Sequence, residues 1–252
     1  MADSLQATGA ETVTNEAERP REAREERLQQ LVQAQRLAAG LTVAAVVLAL
    51  VALFGPQPND RLLALLVALP LLALLFVIAW RDRFRIGLGA GSAQANLAAP
   101  CAVAACALFA RTWLDLNLVS WLPLIAFALA VGLIFLVAAA RFESNLRRRW
   151  WRLIAAAVIT AAYAFGVLGQ FDQRLDGSPQ SMLRSRIVEK HLGHSRIATY
   201  HLALAPWGPF DTVTDATVLQ DLYERLETGD PVCVRLRDGA FGIAWFTVAA
   251  CR

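Results

Sequence analysis

Lysine is almost missing from this chain of 252 residues: Lys190 is the only one, and every other fixed positive charge is an arginine. The bias reads as that of a GC-rich, bacterial coding sequence. A nucleic-acid reader is excluded on other grounds, because no basic domain with interleaved aromatics occurs. Charge of either sign is scarce: charged residues make up 18%, against about a quarter in an ordinary soluble domain. The deficit falls between Leu37 and Phe171, where alanine, leucine and valine accumulate, and it excludes a purely water-soluble protein. The centres of the apolar runs carry no ionisable group, so nothing there speaks for a proton relay or a transport pathway. No HExxH and no GxSxG occurs, which leaves metallopeptidase and hydrolase chemistry without its side chains. The first residues are polar, so a cleavable signal peptide is not expected.

What is there is organised around one basic stretch, RFESNLRRRWWR at 141–152, between two long apolar runs. Arg141, Arg147, Arg148, Arg149 and Arg152 place it on the cytoplasmic side of a membrane, and Trp150 and Trp151 suit the headgroup level. Five spans are expected, at about 37–54, 62–80, 97–113, 119–140 and 153–169, forming a transmembrane domain over 37–170. The run 97–140 has to turn, since as one helix it would be about 66 Å long. Arg111, Asp115 and Asn117 mark the polar place to do so. Pro70 sits inside the second run and is tolerated where neighbouring helices support it. Alternate connections are arginine-rich (residues 1–36, then Arg81, Arg83 and Arg85, then 141–152) and the others are poor, which predicts a cytoplasmic N-terminus and a C-terminus outside. The tail 1–36 reads as partly disordered or helical, with disorder expected before Pro20. Leu28, Leu31 and Val32 form a weak stripe that marks a solvated lead-in or, alternatively, a docking helix.

After a linker at 171–182, containing Asp172, Asp176, Gly177, Ser178 and Pro179, residues 183–252 read as a small α+β domain. Strands are expected at 184–188 and 197–205 with a turn at Gly193-His194. A helix is expected over 217–227, with Thr217 and Gln220 as a capping box and Gly229 at its end, then a hairpin about Asp238-Gly239. A two-residue turn there would pair Leu236 with Phe241, Val234 with Ile243 and Val232 with Trp245, leaving Arg235 and Arg237 on the other face. The fold class is therefore five membrane helices followed by a ββαββ antiparallel sheet with one helix.

The chemistry-bearing residues are few. Cys233 and Cys251 are the candidates for a disulfide that would staple a marginal core in an oxidising compartment; two unpaired thiols are the alternative. In that hairpin register Cys233 lies opposite Ala244, so Cys251 has to fold back to reach it. Cys101 and Cys106 point about 140° apart on a helix and read as packing residues. His191, His194 and His201 tempt a zinc reading, but at most two imidazoles meet on strand geometry, so no metal is expected. The glycines about Gly87, Gly89 and Gly91 follow a membrane run rather than a strand, which makes them a loop and not a phosphate cradle; no cofactor is expected. Arg147, Arg148, Arg149, Trp150, Trp151 and Arg152 are topology and interface anchors, and binding of anionic lipid headgroups is their alternative use.

Gly229, Asp230, Cys233, Gly239, Gly242, Trp245 and Cys251 together resemble the tail of uncharacterised bacterial multi-pass inner-membrane proteins. The resemblance implies a small extracytoplasmic domain after several helices and brings no activity. The functional expectation is thus an inner-membrane protein presenting a periplasmic domain to another envelope protein, with membrane lipids as its other partner. The alternative is a transporter or membrane-enzyme subunit acting in a complex.

Overall fold

The computed structural model describes residues 3–55, 60–87, 94–142, 150–193 and 199–251, with side chains from residue 24 onward except 138–142. Five helices come first: α1 (Asp3–Phe54), α2 (Asp60–Ala79), α3 (Ala98–Asp115), α4 (Leu122–Phe142) and α5 (Trp150–Arg174). Helix α1 runs on through the polar tail, including the stretch before Pro20 where disorder was expected. Leu28 and Val32 on it are exposed. Two two-residue strands, β1 (Phe84–Arg85) and β2 (Ala95–Asn96), pair in parallel between α2 and α3. The glycine-rich loop expected there lies largely outside the described residues, as do Arg147, Arg148, Arg149 and His194.

Among the described residues three helices, not five, are long and apolar enough to cross a membrane by length and composition: Arg24–Phe54 within α1, Asp60–Ala79 and Trp150–Arg174. Helix α3 is diluted by Pro100, Arg111 and Asp115, and α4, 21 residues in all, counts over its described side chains Leu122–Val137 as a shorter apolar helix. Both nevertheless pack into the bundle, α3 against α1, α2 and α5, and α4 against α5.

The bundle is built from small residues. Ala45, Ala49 and Ala52 of α1 meet Leu63, Leu66 and Leu69 of α2 and Ala104, Ala107 and Leu108 of α3. A β-carbon on Gly166 of α5 would lie 2.6 Å from Leu108 Cβ, so α5 approaches α3 at backbone distance. The large apolar side chains point the other way, with Val43, Leu50, Leu72, Leu75, Leu129, Leu133 and Ile134 exposed. Alanine and glycine at the contacts, with Leu63, Leu66, Leu69 and Leu108 between them and the other large side chains outside, is an arrangement that lets helices approach closely in lipid. At the end of the bundle away from the C-terminal domain, Phe84, Ala95 and Leu97 close over Ala34, Ala38 and Ala73.

The C-terminal domain is a five-stranded antiparallel half-barrel of order β5-β4-β3-β6-β7, from β3 (Ser181–Leu192), β4 (Tyr200–Leu204), β5 (Thr214–Val218), β6 (Pro231–Arg237) and β7 (Trp245–Ala250). Its one helix, α6 (Gln220–Arg225), is short. The long strand β3 pairs with β6 over its first half and with β4 over its second, and a register shift between Ile187 and Glu189 bends it from one to the other. Ile187, Leu202, Leu204, Trp207, Ala216, Val232, Val234 and Phe246 fill the core.

Two expectations are corrected here. The ββαββ reading omitted a strand: β5 takes up β-branched Thr214, Thr217 and Val218, which had been placed partly in a helix from 217. The capping box fails with it, since Leu219 is the N-cap and makes no side-chain bond. The hairpin also shifts register. Arg237 pairs with Trp245, Leu236 with Phe246, Val234 with Val248 and Cys233 with Ala249, so residues 238–244 form a loop rather than a two-residue turn. The inward face of β6 is as expected, but its partners are Phe246 and Val248 instead of Phe241, Ile243 and Trp245.

Candidate functional site

The turn between α3 and α4 joins the bundle to the half-barrel. Strands β5 and β7 are the free edges of the sheet, and this turn lies between them. On the β7 side, Phe246 N–H donates to Asn117 O (2.9 Å) and Val119 N–H donates to Ala244 O (2.9 Å), an isolated antiparallel bridge that sets Leu118 opposite Trp245. On the β5 side, the Asn117 carboxamide grips one peptide unit. Its Nδ2 donates to Thr217 O at 2.8 Å and its Oδ1 accepts Thr217 N–H at 2.7 Å. A carboxamide carries both a donor and an acceptor, which is what imitating a strand neighbour requires.

A second tie comes from the end of α5. Asp172 is 1% exposed, and its Oδ1 accepts Phe241 N–H at 2.7 Å while its carbonyl accepts Ala240 N–H at 3.2 Å. These bonds explain why the Asp238-Gly239 turn does not close tightly: the loop amides are taken up by the helix end. Gly239, at φ +78°, passes so close that a β-carbon would lie 2.4 Å from Asp172 Oδ2. Asp176 accepts Trp245 Nε1–H at 2.8 Å and Ser178 N–H at 2.7 Å. Burial works to push the Asp176 carboxyl up, but these bonds and one from Gly239 hold it below its usual value. Leu116, Leu118, Leu124, Phe165 and Ile243 fill the apolar part of the junction beside Trp121 and Trp245. Ile243 and Trp245, expected in the sheet core, pack here instead.

Beneath the junction a polar set links the helices. Arg111, 7% exposed, pairs with Asp115 at 2.5 Å and reaches Leu53 O at 3.5 Å. Thr112 donates to Gly166 O (3.1 Å) and accepts from Gln170 (3.2 Å), and Arg174 bridges Gln170 to Asp60. The Arg111–Asp115 and Arg174–Gln170 contacts lie within α3 and within α5, while the bonds to Leu53 O, Gly166 O, Thr112 and Asp60 join one helix to another.

The outer face of the sheet is different in kind. The registers place Met182 beside Arg235 and Arg184 beside Cys233, with Arg186 two residues further on. Arg184, Arg186 and Arg235 are exposed, and among the described residues none pairs with a carboxylate. Met182 and Val188 lie exposed on β3 with them. Cys233, on this same face by register, is joined to Cys251 by a disulfide, their Cα atoms 5.0 Å apart. Pairing of Cys233 with Ala249, rather than Ala244, carries Cys251 to it without any fold-back.

Histidines 191 and 201 lie directly across the β3–β4 ladder, and their rings stack at 5.3 Å, so two imidazoles do meet. Asp215 is 3.9 Å from His191, and no group of three metal-ligating side chains exists among the described residues. Burial, and then His191, hold His201 below its ordinary 6.5, against an upward pull from Asp215. Trp150 and Trp151 are exposed at the start of α5, and Arg152 lies over the Trp151 ring at 5.3 Å. Asn117, Asp172 and Asp176, noted in the sequence only as turn and linker residues, are the ones that position the domain. Comparison with protein-family models, curated proteins and solved structures returns no match, so the chain is defined by what its residues build: three helices long and apolar enough to cross a membrane, joined through a polar junction to a disulfide-bonded antiparallel half-barrel.

Proposed function

We propose that this is an integral protein of the bacterial inner membrane whose helices hold the half-barrel on the periplasmic side, where it binds another envelope protein through the outer face of its sheet. The observation that carries the reading is the set of exposed arginines Arg184, Arg186 and Arg235, which have no carboxylate partner among the described residues, with Met182 and Val188 exposed beside them. Arginine and methionine are enriched at protein interfaces, and an exposed charge on a β-sheet can pair across one. The orientation rests on arginine placement. Arg36, Arg81, Arg83, Arg85 and Arg152 belong to the end of the bundle remote from the half-barrel. Three spans put the two chain ends on opposite faces just as five would, because α3 and α4 enter the count as a pair. A disulfide in the half-barrel suits an oxidising compartment.

The test is a photocrosslinking residue at position 235 in living cells, compared with the same probe in a chain carrying Arg184→Glu and Arg186→Glu. A defined adduct that the charge reversals abolish supports the reading. No adduct at all, or one indifferent to the reversals, refutes it.

The alternative, a transporter or membrane-enzyme subunit within a complex, has the buried Arg111–Asp115 pair in its favour. The two groups are spent mainly on each other within α3, and Arg111 also reaches Leu53 O of α1, which favours the anchoring reading. A deletion strain with unchanged solute uptake removes the alternative.

A further inference from the structure

Phe241 stands on the loop 238–244 with 55% of its surface exposed, although the loop itself is tied to the protein at its base. Where that loop sits relative to a membrane follows from α5. Asp172 lies about 33 Å along the helix axis from Trp150, at 1.5 Å per residue, and the hydrocarbon core is about 30 Å thick. Trp150 and Trp151 mark one boundary, so Asp172 marks the other. Because Asp172 binds Phe241 N–H through its carboxylate and Ala240 N–H through its carbonyl, the loop backbone is fixed at that same level. Gly239 and Gly242, both at φ +78°, set a bend that keeps the backbone against Asp172. Exposed Phe171 and Leu175 at the end of α5, Trp113 near the end of α3 and Leu122 at the start of α4 belong to the same end of the bundle.

We infer that the loop 238–244 is a membrane-interface anchor of the half-barrel, with Phe241 inserted at the boundary between headgroups and acyl chains. The inference rests on α5 being a membrane span. The occupant is lipid because the apolar side chains exposed at this end of the helices stand on the same α3, α4 and α5 whose Phe109, Leu129, Leu133, Ile154 and Val158 are exposed further along. Aromatic side chains are favoured at that depth. The anchor gives the half-barrel a third attachment, beside the clamp on Asn117 and the capture of the loop by Asp172, and it fixes which way the arginine face looks.

The test uses the full chain with Cys101→Ser and Cys106→Ser, reconstituted in phosphatidylcholine vesicles containing lipids brominated at shallow or deep positions. An environment-sensitive fluorophore is attached at Phe241→Cys, at Leu71→Cys in the middle of α2, or at Glu224→Cys on α6. The expected result is blue-shifted emission at 241 quenched most by the shallow bromines, deep quenching at 71, and water-like emission at 224. Water-like emission at 241 with quenching retained at 71 overturns the anchor and leaves the span reading intact. A blue shift at 241 that neither lipid quenches means that protein covers the ring, which also overturns it. Absence of quenching at 71 sinks the membrane reading itself and the anchor with it.

Discussion

Replacing Asn117 with alanine removes two hydrogen bonds, to Thr217 O at 2.8 Å and from Thr217 N–H at 2.7 Å, while the backbone bond from Phe246 N–H to residue 117 survives because it uses the carbonyl. The perturbation therefore acts on β5 alone. Two neutral bonds contribute about 0.5–1.5 kcal/mol each, so the β5 edge is expected to loosen by about 1–3 kcal/mol. A shift of about 1.4 kcal/mol is tenfold in an equilibrium, so the opening of Thr217 should rise roughly 5- to 150-fold. The assay is amide hydrogen exchange on the full chain in lipid, read at Thr217 and its neighbours on β5. Exchange in β3 and β6, whose ladder is untouched, should stay unchanged. Asn117→Asp is the companion variant: it keeps the acceptor for Thr217 N–H but sets a carboxylate against Thr217 O, so it should loosen the carbonyl side only. Unchanged β5 exchange in the alanine variant would refute the clamp. Equal loosening across the whole sheet would show that Asn117 holds up the domain rather than closing an edge.

Three further outcomes are expected. Gly166→Leu forces α5 away from Leu108 and should lower the thermal midpoint of the bundle in detergent, since overpacking costs about 1–3 kcal/mol; an unchanged midpoint would mean that α3 and α5 are not held at backbone distance. Loss of the disulfide through Cys233→Ala with Cys251→Ala opens a loop of sequence separation 18, and should cost the half-barrel about 3 kcal/mol in urea unfolding. The half-barrel should also lose stability in acid in two windows. The depressed His201 favours the neutral ring in the fold, so its contribution is complete above 6.5 and is lost as pH falls through the lower folded value. The depressed Asp176 adds a second loss as pH falls below 3.8. His201→Gln should flatten the first window and leave the second, and a profile unaltered by that change would rule out the imidazole as its source.

How much of this was legible in the residues depends on range. The helices are readable because apolar side chains over Leu62 to Ala79 or Leu153 to Gly169 outweigh everything local. The number of spans is less so: α3 reads as an apolar run although Pro100, Arg111 and Asp115 dilute it, and α4 packs on α5 while Leu129, Leu133 and Ile134 stay exposed. In the half-barrel, alternation placed Val232, Val234 and Leu236 on the inward face of β6 correctly. It could not place the other arm of the hairpin, since the register was decided by Asp172, 69 positions from Phe241. Thr217 likewise looked like a helix cap because its true partner, Asn117, is 100 positions away. Asn117 stood out only as polar, and nothing local marked it as a strand surrogate.

The bridging role of 117–119 bears on assembly. The segment that covers both sheet edges is made before the sheet itself, and it is delivered by the helical part of the chain. If the α3–α4 turn is not in place, the emerging half-barrel carries two raw edges, β5 and β7, able to pair with any extended chain nearby. Completion of the half-barrel thus reports on correct packing of the helices before it. A half-barrel cut free at the α5 boundary should self-associate where the full chain does not.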